Sequence, residues 1–231
     1  MFIGNRIHQD RLYLILGGIF IASLVASNLI FQKFFAWTVW FPVVGNYTFE
    51  ISVGILPYPV TFLVTDIVSE IYGRRKANQL VVSGLIASIF IMAVIMLADI
   101  VPATTWSPIG DDTFHKVFGL FGPAVFASML AYLTAQFIDI RIFHFWKNLT
   151  QGKHLWLRNN GSTIISQLVD TSSVLFLLCL FGVIDWQRFG LLLANGFLFK
   201  VIVALLDTPI FYLCSYALRK HFRLKLGEEL D

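Results

Sequence analysis

Charge is what this chain has least of. Lys+Arg number 17 and Asp+Glu 14 among 231 residues, or 13% in all, against about 25% in an ordinary soluble domain. Hydrophobic residues make up 57% of the chain and the mean hydropathy is +0.75. A water-soluble fold of this length would have to expose much of that apolar surface, which leads to aggregation. A cytosolic enzyme and a disordered chain are both excluded. Cysteine is nearly absent too. Cys179 and Cys214 each lie in an apolar run and read as small packing residues, which excludes a disulfide-stapled domain. The motifs of the common hydrolases and ATPases are also missing. There is no His-Glu-x-x-His, no Gly-x-x-x-x-Gly-Lys-Ser/Thr phosphate loop and no Gly-x-Ser-x-Gly elbow, so no metal, cofactor or ATPase of the chain's own is expected. The formal net charge of +3 does not point to nucleic acid, because the basic residues fall between hydrophobic runs.

Those runs are what is there. A membrane-crossing helix needs about 20 apolar residues. The sequence predicts an all-α integral membrane protein, a single bundle of six transmembrane helices at about residues 12–35, 51–71, 80–98, 117–145, 163–183 and 189–218. The first run is too long for a signal peptide and is read as an uncleaved helix. Pro57 and Pro59 fall in the outer half of the second run. They remove backbone donors and predict a broken helix there, a feature tolerated at membrane depth where backbone lines a cavity. Asp207-Thr208-Pro209 predicts a similar kink in the sixth.

Orientation follows from the cations. Arg6 and Arg11, then Arg74, Arg75 and Lys76, then Arg141, Lys147, Lys153 and Arg158, then Arg219, Lys220, Arg223 and Lys225 all fall on one side of the six runs. The opposite loops carry mostly Glu50, Asp99, Asp111, Asp112 and Asp185. The positive-inside rule then puts both termini in the cytoplasm. Trp37, Trp40, Trp106 and Trp186 would mark the outer boundary, with Trp146 and Trp156 at the inner one.

An ionised side chain at mid-membrane is costly and survives only when it faces the bundle interior and finds partners. Five carboxylates fall within the predicted spans, Asp66, Glu70, Asp139, Asp170 and Asp207, against one deep cation, Lys200. Asp66 and Glu70 are i,i+4; Gln136 and Asp139 are i,i+3, as are Gln167 and Asp170. Each pair therefore projects from one side of its helix. The repeated Gln-x-x-Asp is a faint sign of internal duplication. Structural readings stand beside these: Lys200 neutralising Asp170 or Asp207, Glu70 capping Arg74 or Arg75, Asp139 pairing with Arg141, and Asn28 making an interhelical hydrogen bond. The excess of carboxylates over deep cations favours a polar cavity that meets a donor-rich or cationic ligand, or protons.

Longer motifs carry a resemblance. Thr61-Phe-Leu-Val-Thr-Asp66, then Ser69-Glu-Ile-Tyr-Gly-Arg74 and Ala77, resemble the signature of the vitamin uptake transporter family of queuosine-precursor transporters. Ala26-Ser-Asn28 with Lys33, Gln136-Phe-Ile-Asp139 with Ile142-Phe143, and Leu155-Trp-Leu-Arg-Asn-Asn160 are similar to it as well. So are Ser166-Gln-Leu-Val-Asp-Thr171, Lys200-Val201, Asp207-Thr-Pro209 and Tyr212. The match runs in register from about Ala26 to Tyr212. It implies a six-helix inner-membrane importer of 7-deazaguanine bases such as preQ0, preQ1 or queuine, used to salvage precursors of a modified tRNA nucleoside. On that reading Asn28, Asp66, Glu70, Gln136, Asp139, Asn160, Gln167 and Asp170 line the substrate site. Asn160 would sit at its cytoplasmic mouth and Asn28 on its wall. Lys200 is a charge partner and Asp207 a candidate for proton linkage. The implied partners are the small-molecule base, the lipid bilayer, and either a second copy of the chain or a separate energising module. Two alternatives stay open: a binding subunit driven by a separate ATPase, and an intramembrane aspartyl hydrolase using two carboxyl groups together.

Overall fold

The computed structural model describes residues 2–31, 33–41, 45–119, 123–182 and 184–230. The expected fourth and fifth spans therefore run in part, at 120–122 and 183, outside the described residues. The chain is a helical membrane protein. Helix α1 (Phe2–Ile30) leads into a hairpin of β1 (Phe34–Phe41) and β2 (Gly45–Ser52), and a 3-10 turn (Val53–Ile55) follows. The remaining helices are α2 (Tyr58–Ile71), α3 (Gly73–Ile100), the short α4 (Asp111–Phe118), α5 (Pro123–Leu149), α6 (Leu155–Leu180) and α7 (Trp186–Phe222). Five stretches among the described residues are long and apolar enough to cross a membrane: Ile7–Ile30, Val53–Ile71, Gly73–Ile100, Leu155–Leu180 and Trp186–Phe222. At 27 residues, α5 has the length of its neighbours.

The outer surface is apolar. Leu14, Ile86, Phe90, Leu206 and Leu213 are all exposed, while Asp66, Glu70, Gln136, Asp139, Arg158 and Asp170 are buried. Polar groups inside and hydrocarbon outside is the inverse of a soluble fold, and it suits a lipid solvent. Helix α2 occupies the middle of this arrangement, packed against α1, α3, α5 and α7.

Two expected spans need correction. The first helix ends at Ile30, and Phe34 and Phe35 belong to a strand instead. The second is helical only from Tyr58. Pro57 is the residue before that helix and Pro59 lies in its first turn, so the span is broken at its prolines between the 3-10 turn and α2, and the prolines open α2. First-turn N–H groups have no partner within a helix, and proline loses nothing there. With 14 residues, α2 is roughly 21 Å long at 1.5 Å per residue, short of a bilayer core of about 30 Å. The 3-10 turn and the end of β2 complete the depth.

The hairpin was hidden from hydropathy because aromatic strands are as apolar as a helix. It pairs antiparallel from Phe34 opposite Ser52 to Phe41 opposite Gly45. On β2, Phe49 and Ile51 are buried while Asn46, Thr48 and Glu50 are exposed, the period of two that marks a strand with one covered face. The covered face lies on α7: Phe49 and Ile51 pack with Phe199, Ile202 and Val203, and Trp37 stands edge-on to Phe199 at 5.8 Å. The Tyr47 hydroxyl donates to Asn195 Oδ1. Gly54 joins the hairpin to α1, and the Ser27 hydroxyl donates to its carbonyl. A Cβ at Gly54 would lie 2.8 Å from the Ser27 carbonyl oxygen and 2.9 Å from Phe31 Cα, so only glycine permits this approach.

At the opposite end, α2 turns into α3 through Gly73, whose φ of 78° favours glycine. The C-terminal tail returns to this turn: Leu230 N–H donates to the Ile71 carbonyl at 2.8 Å. Arg74, Arg75, Lys147, Arg158 and Arg219 gather at this end, which is called the basic end below, opposite the hairpin end.

Candidate functional site

Three polar levels run down the bundle from the hairpin to the basic end. The uppermost is a cavity of about 280 Å³ at the hairpin end. Its walls are mostly apolar side chains of α1, α3, α5, α6 and α7. The aromatic rings of Phe31, Phe34, Tyr58 and Tyr132 line it, and so do a few polar groups: Asn28, Glu50, Asp170, Thr171 and Lys200. At its floor Lys200 Nζ donates to Asp170 Oδ2 at 2.7 Å and to Thr171 Oγ1 at 3.0 Å. The same ammonium lies 4.5 Å from the Tyr58 ring centroid, an arrangement in which the ring face adds attraction. Asp170 Oδ1 is buried. One oxygen of the acid is held by Lys200, and the Tyr58 hydroxyl lies within hydrogen-bonding reach of the same acid.

The second level lies beneath Tyr132. Gln136 donates to the Tyr132 hydroxyl at 2.8 Å and accepts from Thr65 at 3.3 Å. Asp66 of α2 and Asp139 of α5 stand within hydrogen-bonding reach of each other. Ser166 of α6 donates to Asp139 Oδ1 at 3.0 Å. Asp66 Oδ1, Asp139 Oδ2 and Gln167 Oε1 are all buried without a hydrogen-bond partner among the described residues. Side chains on α6 reach this level because Arg158, Ser162, Ser166 and Asp170, spaced four apart, form one buried polar stripe.

The third level closes the basic end. Glu70 Oε1 accepts from Arg158 Nη2 at 2.7 Å and from Arg219 Nη2. Lys147 Nζ donates to the Glu70 carbonyl at 3.1 Å and to Glu229 Oε1 of the tail at 2.8 Å. Arg158 also donates to the Gly152 carbonyl at 2.7 Å. A buried ion pair needs such additional hydrogen bonds, because desolvating the charges is costly. The knot joins α2, α5, α6, α7 and the tail. Beside it the Asn160 amide donates to Thr208 Oγ1 at 3.0 Å, tying α6 to α7.

The ten residues singled out from sequence thus divide. Asn28, Asp170 and Lys200 line the cavity. Asp66, Gln136, Asp139 and Gln167 belong to the buried level beneath it, with Asp207 half-buried on α7. Glu70 and Asn160 lie with the ties at the basic end. Glu70 is fully buried and its partners are Arg158, Arg219 and Lys147, not Arg74 or Arg75. Asp139 meets Asp66 and Ser166, not Arg141. Lys200 pairs with Asp170. Sequence reasoning passed over Glu50, Tyr58 and Tyr132 in the cavity. It also counted Arg158 and Arg219 only among the cations on one side of the spans, although the four-residue polar stripe on α6 includes Arg158.

This arrangement, a half-enclosed cavity at one end of a lipid-facing bundle and an ion knot at the other, is that of a protein that handles a small molecule within the membrane. Residues 52–214 match the family described as "Putative vitamin uptake transporter". The chain belongs to the vitamin uptake transporter family. As a member of that family it is a multi-pass membrane transporter, and the matched residues run from the end of β2 to α7, taking in all three polar levels. Among curated relatives, one from Bacillus subtilis (strain 168) is 30% identical over 168 residues, covering 70% of each chain, and is named "Probable queuosine precursor transporter". Another with the same name, from Haemophilus influenzae, is 24% identical over 192 residues, covering 79% of this chain and 77% of its own. No solved structure matches.

Proposed function

We propose that this transporter imports queuosine precursors, 7-deazaguanine bases such as preQ0, preQ1 or queuine, across the inner membrane with both termini in the cytoplasm. The observation that carries the reading is the Asp170 carboxyl, held by Lys200, at the floor of an aromatic-walled cavity. A guanine-like edge presents adjacent N–H donors, and a carboxyl oxygen is an acceptor for such an edge. The Asn28 amide offers both a donor and an acceptor for the carbonyl side of the base. Tyr58, Tyr132 and Phe31 supply flat apolar faces. Lys200 holds Asp170 in place through Oδ2. Glu50, on the hairpin above, is a second carboxylate suited to the aminomethyl cation of preQ1.

Asp66, Gln136, Asp139 and Gln167 serve as the polar floor that the base meets when the bundle opens toward the cytoplasm. Asn160 and Glu70 belong to the closure at that end. The names of the two curated relatives support the substrate class, and the clustering of cations at one end of the helices supports the orientation. The test is uptake of radiolabelled preQ0, preQ1 and queuine by proteoliposomes that hold this chain alone. Uptake of at least one base, competed by guanine-like analogues and lost in Asp170→Asn, is expected. Binding without uptake, restored by adding an ATP-hydrolysing membrane complex, would make the chain a binding subunit instead.

A further inference from the structure

The two buried acids at the middle level are neutralised in a different way from the others. Glu70 has Arg158, Arg219 and Lys147 around it, and Asp170 has Lys200. Asp66 and Asp139 are 2% and 0% exposed, and no cation among the described residues forms an ion pair with either. The groups that face them are known for each packed element. From α6 come the hydroxyls of Ser162, Thr163 and Ser166, and from α5 itself Tyr132, one turn beyond Gln136. Helix α7 contributes Asp207, and α2 contributes Glu70, whose charge is already taken up by the knot. Between Arg11 and Lys33, α1 has no charged side chain, and neither has α3 between Lys76 and Asp99. The cations that the neighbouring helices bury are already engaged, Arg158, Arg219 and Lys147 by Glu70 and the tail, and Lys200 by Asp170.

Two carboxyl groups in hydrogen-bonding contact need a proton between them, since two carboxylates have only acceptors to offer. Like charges in a dry site also repel strongly. The hydroxyl of Ser166 donates to Asp139 Oδ1, which favours the charge on Asp139 and leaves the shared proton toward Asp66. We infer that Asp66 and Asp139 form a binding site for one exchangeable proton, coupled to movement of the substrate. The inference rests on the transport reading above. Coupling has a physical route: Tyr132 lines the cavity, its hydroxyl accepts from Gln136, and Gln136 accepts from Thr65 one residue before Asp66. A base reaching the unpartnered Gln167 and Asp66 oxygens brings N–H donors to the acceptors beside the shared proton.

The test separates the proton from the substrate. In purified protein at pH 7, difference infrared spectroscopy should show a protonated-carboxyl band that shifts in heavy water. It should be lost in Asp66→Asn, shifted in Asp139→Asn, and unchanged in Asp207→Asn. A wild-type spectrum no different from that of the D66N/D139N double variant, or a band lost only in D207N, would overturn the proposal whether or not any base is carried. In proteoliposomes, a proton gradient directed inward should stimulate uptake of radiolabelled preQ1 at least tenfold. D139N should lose that stimulation, its uptake being the same with and without the gradient. Equal stimulation in D139N, or a response to a sodium gradient alone, would refute proton coupling at this pair. Absence of uptake and of binding for all three bases, with the infrared band present, would leave the proton site standing and remove the substrate assignment.

Discussion

Replacing Glu70 by Gln isolates what the ion knot contributes. The substitution keeps the shape of the side chain and one carbonyl acceptor, but removes the charge on which Arg158 and Arg219 converge. Glu70 and Arg158 are both fully buried and their bond is 2.7 Å long. Lys147 lies 3.8 Å from the other carboxylate oxygen. At an effective dielectric constant near 20, a unit pair about 4 Å apart is worth roughly 4 kcal/mol. Removing one partner of a buried pair typically costs about 3–5 kcal/mol, because the remaining charge stays buried and unpaired. Here two guanidinium groups lose their shared acceptor, and Glu229 of the tail is the remaining carboxylate within reach of Lys147, so the upper part of that range applies. For a chain of this size it corresponds to a Tm lower by roughly 6–20 °C. Thermal unfolding in detergent, followed by loss of the monodisperse peak, would read it. A double variant E70Q/R158Q should lose less than the sum of the single losses, since each removal relieves the burden left by the other. A Tm for E70Q within about 2 °C of wild type would refute the argument, because no buried charge of this kind can lose its counter-ion so cheaply.

Lys200→Met should leave Asp170 buried without its cation and lower uptake of labelled base at least tenfold, while D170N/K200M regains thermal stability but not uptake. If K200M transports normally, the pair is structural only. Glu50→Gln should weaken preQ1 binding up to about fivefold, the scale of a solvent-exposed ion pair, and leave preQ0 unaffected, because the nitrile of preQ0 carries no charge. Competition assays with the two bases read this directly, and equal losses for both would remove Glu50 from the site. Gly54→Ala forces a methyl within 2.8 Å of the Ser27 carbonyl oxygen and should destabilise by about 1–3 kcal/mol, the usual cost of overpacking. The Tm and the yield of monodisperse protein would show it, and an unchanged Tm would mean that the hairpin junction yields easily.

Hydropathy made the long helices legible because each buries no charge over most of its length. It failed where apolar sequence took another form. Phe34 to Phe41 contains five aromatic residues, and hydropathy carried the first span into them as far as Phe35. Pairing with β2 fixes them as a strand, and that depends on partners 4 to 18 residues away in sequence. The sign that could have revealed it is the alternation Tyr47, Phe49, Ile51 against Asn46, Thr48, Glu50, which has period two and not 3.6. Pro57 and Pro59 were legible as helix-incompatible. That they open α2 follows only once Ser52 and the 3-10 turn are seen to occupy the preceding residues.

The carboxylates illustrate a different limit. Sequence depth alone treats Asp66, Glu70, Asp139 and Asp170 as one class, since each sits one to three turns from the basic boundary. Their chemistry is decided by which cation arrives from another helix, and that depends on helix rotation and pairing. Helix α6 presents Arg158 to Glu70 and, three turns later along the same stripe, Asp170 to Lys200. Between those two charged positions the stripe offers Ser162 and Ser166, which can donate a hydrogen bond but cannot neutralise. Asp139 faces that neutral stretch, with Asp66 as its neighbour. A single i+4 progression on one helix thus leaves one pair of acids without a cation between two sites that have them. In a medium that tolerates no uncompensated charge, that gap is where a proton must reside.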